Sequence, residues 1–247
     1  MKNEIYKYGK IEYYDTLPST NAFLKSRAKD EKESLVVVAS SQTKGHGRFD
    51  RKFYSPANTG IYMSILLKPK TIGFDATRIT SAAAVAVAQT IETLSDKTAQ
   101  IKWVNDVLID SKKVCGILTE GSINPKNGTL EYAVLGIGIN LFMPENGFES
   151  EIQNIAGYIF EEYDPSLKEK FIKEVLKNFF KYYNNNTEIL NEYRKRSAVI
   201  GKDILVLKHN GTKFAKALLI DDNFRLKVKY PDNTEEFLNS GEISIKI

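Results

Sequence analysis

Apolar and polar residues along this chain repeat with the helical period in some segments and with the strand period in others. Ser19 and Thr20 are favourable helix caps, and apolar residues follow them directly. Continuous β-branched runs predict buried strands, while a polar stretch with two glycines and a proline predicts a loop. For the first part of the chain we predict a helix at 20–29, a strand at 35–39, a loop at 41–58 and a strand at 60–67.

The middle of the chain begins with an alanine-rich segment that contains neither proline nor glycine, which predicts a long helix. Short apolar runs and then helical periodicity follow it. The predicted elements are a helix at 75–94, strands at 101–103, 107–109, 113–122 and 130–141, and helices at 167–183 and 187–196.

After Ile200 the pattern changes to short alternating segments, which are separated by turn residues such as Asn210-Gly211 and Pro231-Asp232. Such a series of short strands and turns predicts a small antiparallel barrel. We therefore predict two domains, residues 1–198 and residues 199–247.

Composition narrows the class of protein. Apolar residues make up 42% of the 247 residues, and 35 basic against 31 acidic residues give a net charge of only +4. This small charge does not indicate nucleic-acid binding, which usually needs a concentrated basic stripe. Cys115 is the only cysteine, no secretory signal is visible, and the most apolar stretch, 81–88, is too short to span a membrane. We expect a cytoplasmic protein that binds neither membranes nor nucleic acid.

The loop from Gln42 to Phe53 has the sequence QTKGHGRFDRKF. Its glycines let the backbone approach a ligand closely, and successive backbone N–H groups can form an anion-binding nest. Four cationic side chains add to this positive field, so the loop suits a ligand with a carboxylate or a phosphate. Taken alone, a solvated hairpin is the more common interpretation of such a loop. The cationic residues are Lys44, Arg48, Arg51 and Lys52.

Three further motifs follow the loop. Lys102 to Asp106 ends in an amide and a carboxylate, a pair that could hold a sugar hydroxyl or a metal but is more often a turn. Lys113 opens a predicted strand, where lysines are usually solvated. Gly136-Ile-Gly-Ile-Asn140 lacks the third glycine and the following helix of a dinucleotide-binding fingerprint, so its glycines indicate close approach of a ligand or backbone.

Other catalytic arrangements find no support in the sequence. His46 and His209 are far apart, and with a single cysteine they do not form a zinc site. Cys115 stands between apolar residues and glycine in a predicted strand, so we expect it to be a small core residue.

The order of these motifs resembles the biotin–protein ligases, also called biotin–[acetyl-CoA-carboxylase] ligases. Ser-Thr-Asn, Gln42 with Gly-x-Gly-Arg, Lys-Trp-x-Asn-Asp, Lys-x-x-Gly-Ile-Leu-x-Glu and Gly-x-Gly-Ile-Asn follow one another across residues 12–142. The Gly241-Glu-Ile-Ser stretch extends the resemblance into the terminal barrel. The resemblance implies an α+β fold, in which a central mixed β-sheet with flanking helices, like that of class II aminoacyl-tRNA synthetases and biotin ligases, precedes a small Src-homology-3-like β-barrel.

The resemblance also implies a reaction in two steps. Biotin and ATP, with Mg²⁺, give biotinyl-5′-AMP and pyrophosphate, and the biotinyl group then passes to one lysine of the biotin carboxyl carrier protein of acetyl-CoA carboxylase. Because few residues precede Ile11, we expect a single-function ligase without an N-terminal DNA-binding domain. A homodimer formed through the sheet edge is also consistent with the resemblance.

Site residues follow from the resemblance position by position. The residues implied to be catalytic are Lys113, Arg48 and Asp106, and no residue is implied to be a metal ligand. The residues implied to meet biotin are Ser19, Thr20, Asn21, Gln42, Gly45, His46, Gly47, Arg48, Lys113 and Gly116. The residues implied to meet ATP or the adenylate are Arg48, Arg51, Phe53, Trp103, Asn105 and Asn140.

The loop from Gln42 to Phe53, called the glycine loop below, departs from the family pattern Gly-Arg-Gly-Arg-x-Gly-Arg. His46 replaces an arginine, Phe49 and Asp50 fill the next places, and the third glycine is absent. Phe53 stands where a tryptophan is common, and Val104 where a proline is common. We predict that biotinyl-AMP still binds but is retained less tightly, since a cation near the adenylate is missing.

Two other functions compete with this interpretation. A lipoate–protein ligase or octanoyl transferase would share the catalytic fold, but the Ser-Thr-Asn and Lys-Trp-x-Asn-Asp motifs favour biotin. A non-catalytic nucleic-acid module would need a broad basic face with stacking aromatics, and acidic residues dilute the charge of the terminal barrel.

Overall fold

The computed structural model describes residues 2–6, 9–68, 76–124, 129–184, 188–208, 211–239 and 242–245. The sequence predictions that concern Asp75, Thr187, His209, Asn210 and Gly241 lie outside these ranges.

The larger of two sheets contains eight strands in the order β1-β2-β3-β4-β8-β7-β6-β5. Neighbouring strands are antiparallel except β2 and β3, which are parallel, so the predicted central mixed sheet is confirmed. The strands are β1 (Lys2–Tyr6), β2 (Gly9–Leu17), β3 (Leu35–Gln42), β4 (Gly60–Leu67), β5 (Gln100–Lys102), β6 (Asp106–Ile109), β7 (Lys112–Ile123) and β8 (Leu130–Asn140).

The smaller sheet follows in the sequence and has five antiparallel strands in the order β12-β11-β10-β9-β13. This agrees with the predicted small β-domain of the Src-homology-3-like kind. Its strands are β9 (Asp203–Lys208), β10 (Gly211–Ile220), β11 (Leu226–Lys229), β12 (Glu235–Leu238) and β13 (Glu242–Ile245).

The described helices are α1 (Thr20–Arg27), α2 (Ala76–Leu94), α3 (Ser166–Asn184) and α4 (Ile189–Lys195). Helix α1 begins where predicted, because the Ser19 side chain accepts a hydrogen bond from the backbone N–H of Ala22. Within the described ranges, no helix combines the length and the apolar character needed to cross a bilayer.

Strand β2 lies before Ser19, where no element was predicted, and it pairs with β3 along most of its length. The strand pattern is hidden because Glu12, a charged residue, is buried beside Ile11. Arg27 and Lys10 pair with the Glu12 carboxylate, which makes its burial tolerable. Strand β3 also runs three residues beyond its predicted end, as far as Gln42.

The two faces of the large sheet are packed differently. On β3, Val36 and Val38 belong to the main core with α2 and α3, whereas Val37 packs with Leu24 of α1 on the opposite face. On β4, β7 and β8, large aliphatic side chains likewise point to the main core. On the α1 face these strands carry Leu66 and Val134, which pack with Leu24, and also the small residues Ser64, Gly116, Gly136 and Gly138.

The small sheet is joined to the large sheet by buried contacts. The indole N–H of Trp103 donates to the backbone oxygen of Phe224 at 2.8 Å. The Phe224 ring packs edge-on against Tyr193, with 5.6 Å between ring centroids. Both sheets contribute to one continuous hydrophobic core. The domain boundary between residues 198 and 199 stays a prediction. Residues on both sides of it share one hydrophobic core.

Candidate active site

A cavity of about 390 Å³ opens on the α1 face of the large sheet. The N-terminus of α1, the glycine loop, strands β4, β6, β7 and β8, and the segment after β8 form its walls. All the predicted site residues except Gly45 line this one cavity, although they come from distant parts of the sequence. These residues are Ser19, Thr20, Asn21, Gln42, His46, Gly47, Arg48, Arg51, Phe53, Trp103, Asn105, Asp106, Lys113, Gly116 and Asn140.

Gln42 fixes one end of the cavity. Its side-chain oxygen accepts hydrogen bonds from the backbone N–H of Thr20 at 2.8 Å and from the Thr20 hydroxyl at 3.1 Å. Its side-chain nitrogen donates to the Ser55 hydroxyl at 3.1 Å, and that hydroxyl donates to the Phe53 backbone oxygen at 2.9 Å. The start of α1 and the exit of the glycine loop are therefore held together through one amide.

Asn21 lies over Gly136, whose absent side chain makes room for it. A Cβ at Gly136 would stand 2.3 Å from the Asn21 amide oxygen. That oxygen accepts from the buried Ser64 hydroxyl at 2.6 Å, while the Asn21 nitrogen donates to a Glu120 oxygen at 2.8 Å. Both ends of the Asn21 amide are therefore engaged in hydrogen bonds within the protein, so Asn21 forms a structural part of the cavity wall.

Two glycines on the floor of the cavity leave room for an aromatic ring. Gly116 of β7 and Gly138 of β8 are direct partners across the two strands. A Cβ at Gly138 would come within 2.4 Å of the Phe53 ring, and one at Gly116 would meet both that ring and the Lys113 side chain at 3.1 Å. The glycines are therefore needed for close approach of side chains.

Lys113 brings a positive charge to this floor. Its ammonium lies 2.7 Å from a carboxylate oxygen of Asp106 on the neighbouring strand β6. The Lys113 side chain is 33% exposed and that of Asp106 is 19% exposed, while the Asp106 Oδ1 atom next to the ammonium is itself buried. The pair places a cation and a potential proton acceptor side by side in the cavity.

Arg48 adds a second cation from the glycine loop. Its guanidinium donates to the Asn105 side-chain oxygen at 3.1 Å, and the Asn105 nitrogen donates to the Ile117 backbone oxygen at 3.0 Å. The guanidinium also lies 5.1 Å from the ring centroid of Phe49. Phe49 is 62% exposed and has a left-handed backbone with φ of 57°, which is unusual for a bulky side chain.

The glycine loop folds back on itself as a small hairpin. The backbone N–H of Gly47 donates to the Arg51 oxygen at 2.7 Å, and that of Phe53 donates to the Gly45 oxygen at 2.9 Å. Gly45 is enclosed, since a Cβ there would come within 2.7 Å of both the Phe53 backbone oxygen and the Ser55 hydroxyl. Gly45 therefore shapes the loop from behind the cavity wall.

Trp103 and Asn140 lie at the far end of the cavity. Trp103 is only 3% exposed, and its indole N–H is bonded to Phe224, so it forms a buried wall. The Asn140 nitrogen donates to the Gly157 backbone oxygen at 3.0 Å, which ties β8 to the segment that follows it. Ile243 of β13 also reaches this wall, so the small sheet contributes to the cavity.

Cys115 is fully buried in the main core, which confirms its prediction as a core residue. Burial raises the pKa of its thiol well above the ordinary value, so the thiol is unsuited to act as a nucleophile. Among the described residues there is no cluster of three or more His, Cys, Asp or Glu side chains that could hold a metal ion.

Several residues that build the site were not among the predicted site residues. Ser64 is fully buried and bonds to Asn21, and Ser55 completes the bridge from Gln42. Glu149, in the segment after β8, pairs with Lys52 of the glycine loop at 2.7 Å. The polar Ser64 inside an otherwise apolar strand was the one signal in the sequence that could have been noticed.

Comparison with known proteins gives a consistent result. The model of the family described as "Biotin/lipoate A/B protein ligase family" matches residues 13–140, more than half of the chain. The bifunctional ligase/repressor BirA of Bacillus subtilis is 34% identical over 217 residues, which cover 85% of this chain. The biotin–[acetyl-CoA-carboxylase] ligase of Mycobacterium tuberculosis is 27% identical over 216 residues, covering 84% of this chain and 79% of that protein.

The chain spans 66% of the length of the Bacillus subtilis protein, just under two thirds. Among solved structures, the biotin protein ligase from Aquifex aeolicus in complex with biotin and ATP superposes with a TM-score of 0.77. The match covers 96% of this chain and 98% of that one, at 24% identity. At this identity the likeness shows a shared fold, including the small terminal sheet.

Proposed function

The chain belongs to the biotin/lipoate A/B protein ligase family, and we propose that it is a biotin–protein ligase. It joins biotin and ATP into biotinyl-5′-AMP and then transfers the biotinyl group to a lysine of a biotin carboxyl carrier domain of acetyl-CoA carboxylase. A relative named biotin–[acetyl-CoA-carboxylase] ligase and a similar structure with biotin and ATP bound support this choice of substrates.

The observation that carries the proposal is the position of Lys113. Its ammonium stands over the glycine floor, beside Asp106 and in the same cavity as Arg48. The polar groups around Gln42 line the same cavity, as do Asn105 and Asn140. A ligand with a polar head, an apolar body and a carboxylate fits such a cavity, with the carboxylate against Lys113.

In the first step, a carboxylate oxygen of biotin attacks the α-phosphorus of ATP and pyrophosphate leaves. Negative charge gathers on the carboxylate and on the α-phosphate oxygens, and a fixed cation stabilises it. Lys113 supplies that cation from the sheet, and Arg48 supplies a second one from the loop. ATP enters as its magnesium complex, with Mg²⁺ carried on the phosphates.

In the second step, the amine of the acceptor lysine attacks the acyl carbon of biotinyl-AMP. A carbon–nitrogen bond forms, the bond to the phosphate oxygen breaks, AMP leaves and the amine loses a proton. Asp106 lies where it can accept that proton or orient the amine, once Lys113 has turned toward the phosphate. The mixed anhydride is already activated, so no covalent bond to the protein is needed.

Recognition of the biotin ring uses the end of the cavity near Gln42. Gln42 donates one amide hydrogen to Ser55, and among the described residues its second amide hydrogen has no hydrogen-bond acceptor. The Ser19 hydroxyl accepts from Ala22 and can still donate. These two donors suit the carbonyl oxygen of the ureido ring, because a ligand acceptor buried without a donor would weaken binding.

The decisive experiment is ATP-dependent transfer of biotin to a purified carrier domain. We expect transfer by the unaltered chain and a loss of about a hundredfold or more in kcat for Lys113→Ala and Arg48→Ala, as when a transition-state charge loses its partner. Lys177→Ala is the matched control, because Lys177 forms an ion pair with Glu174 on α3, outside the residues that line the cavity. Absence of transfer by the unaltered chain would refute the proposal.

Lipoate is the rival substrate, since the family description includes lipoate ligases. The polar end of the cavity favours biotin, because the dithiolane ring of lipoate has no carbonyl for Gln42 and Ser19 to meet. Thermal unfolding with MgATP plus either acid separates the two, since a ligand that binds only the folded protein raises the unfolding temperature. Stabilisation by lipoate alone would decide against biotin.

The cellular location and the oligomeric state of the enzyme are further parts of this proposal. We propose that the enzyme acts in the cytoplasm and that it forms a homodimer through β1, the outer strand of the eight-stranded sheet. Sedimentation at several protein concentrations tests the dimer, and a single monomeric species at every concentration would contradict it.

A further inference from the structure

Glu120 ends the Lys-x-x-Gly-Ile-Leu-x-Glu motif on β7, yet the two-step reaction gives it no task. Its carboxylate is partly buried, with 24% of the side chain exposed. It lies between helix α1 and the glycine loop, and it contacts residues from both. It is therefore the point where three segments of the site meet: β7, α1 and the loop.

Two residues of α1 contact the Glu120 carboxylate. One Glu120 oxygen lies 2.7 Å from the Lys25 ammonium, and the other accepts from the Asn21 nitrogen at 2.8 Å. Lys25 is one helical turn beyond Asn21, so both contacts come from the same side of α1. Glu120 therefore anchors the first turns of the helix to the sheet.

The contact with the loop is made by His46. Its Nε2 atom lies 3.7 Å from the Glu120 oxygen that also accepts from Asn21. His46 stands in the hairpin opposite Lys52, with which it forms a backbone bridge, and it lines the cavity. When it is protonated, the imidazole forms an ion pair with the carboxylate that anchors the helix.

Glu120 is charged at neutral pH. Burial alone raises the pKa of its carboxyl, but hydrogen bonds from Lys25 and Asn21, together with the nearby His46, leave it below the ordinary value. A charged acceptor holds its donors more strongly than a neutral one. The carboxylate can therefore hold helix and loop at once.

We propose that Glu120 is a positioning residue that holds the glycine loop against helix α1, through His46 on one side and Asn21 with Lys25 on the other, so that the cavity is preformed for the biotin ring. The inference rests on the proposed biotin ligase function and adds to it a residue that acts without touching the reacting atoms. A loop that is already in place loses less freedom when the ligand binds, which improves affinity.

The test is the biotin dependence of adenylate formation by Glu120→Gln, a substitution that keeps size and removes charge. We expect the KM for biotin to rise about tenfold, within the range for a lost hydrogen bond to a charged group. We expect kcat to stay within about twofold, because preformed ligand binding affects ground state and transition state alike. The matched control is Glu131→Gln, an exposed carboxylate on the neighbouring strand β8 that accepts from Ser122, and its KM should not change.

A double-mutant cycle with His46→Gln separates positioning from general support of the fold. If Glu120 acts through the loop, its substitution adds less than about threefold to KM in the His46→Gln background, because contacting residues are not additive. His46→Gln alone must also raise KM, and since its side chain is partly exposed and lies in a loop, it keeps the test usable if Glu120→Gln proves unstable.

An unchanged KM in Glu120→Gln, or equal effects in both backgrounds, would overturn the inference while leaving the ligase function in place. Failure of the ligase function is a separate result, because then the unaltered chain would form no biotinyl-AMP.

Discussion

The ring of Phe53 occupies the space where a side chain on Gly138 would stand, with a Cβ there coming within 2.4 Å of a ring carbon. Phe53 ends the glycine loop, whereas Gly138 lies near the C-terminal end of β8. This contact packs the glycine loop onto the sheet, because the aromatic ring lies directly against backbone that carries no side chain.

Gly138→Ala should push the Phe53 ring off the sheet and destabilise the protein by about 1–3 kcal/mol, the usual cost of overpacking. The free energy of unfolding in urea measures this. In a Phe53→Leu background the same substitution should cost clearly less, because the smaller side chain leaves room. An equal cost in both backgrounds would mean that the strain arises elsewhere.

Asp106→Asn should separate the two steps of the proposed reaction. The amide cannot accept the proton of the acceptor lysine, so transfer from biotinyl-AMP should slow by about a hundredfold, a common contribution of a general base. Pyrophosphate exchange, which reports only the first step, should change much less. The control is Asp110→Asn in the exposed turn between β6 and β7, where a left-handed backbone with φ of 47° tolerates asparagine. If both steps slow equally, Asp106 has no special role in transfer.

His46→Arg restores the arginine that is usual at this position in the family. We expect biotinyl-AMP to be retained longer, since an added cation near the adenylate contributes about 1–3 kcal/mol if it makes a charge-assisted hydrogen bond. The measurement is biotin found on lysines of an unrelated protein added to the mixture. Equal labelling by the variant and the unaltered chain would refute the retention argument.

Glu12 should govern stability in acid. Burial alone raises the pKa of its carboxyl, but hydrogen bonds from Arg27, Lys10 and Tyr14 lower it from 4.5 to about 2. A lowered pKa means that the ionised group stabilises the folded state above the unfolded value, near pH 4.5, and that this contribution is lost as the pH falls toward 2.

The acid prediction is tested with Glu12→Gln. Between about pH 5 and pH 2 the unfolding free energy of the variant should fall less steeply than that of the unaltered chain, because one titrating group is gone. Glu31→Gln serves as a comparison, since Glu31 also pairs with Arg27 but is more exposed. Parallel curves for Glu12→Gln and the unaltered chain would show that Glu12 does not titrate in this range.

Much of the fold could be read from residue patterns because those patterns report burial directly. Strand β4 has the bounds that its apolar run predicted, and α2 follows the alanine-rich segment as far as Leu94. Strand β2 was missed because the buried Glu12 breaks the apolar pattern, and its neutralising partner Arg27 lies on a helix fifteen residues away.

For the site, the sequence by itself determined which residue types were available and in which order, and the ordered motifs led to the family. Only the tertiary structure decided how they are used. Asn21 is committed to Ser64 and Glu120, and Gly138 serves the ring of Phe53. The physical reason is that these contacts join side chains from strands and loops far apart in the chain, where periodicity and spacing carry no information about distance in space.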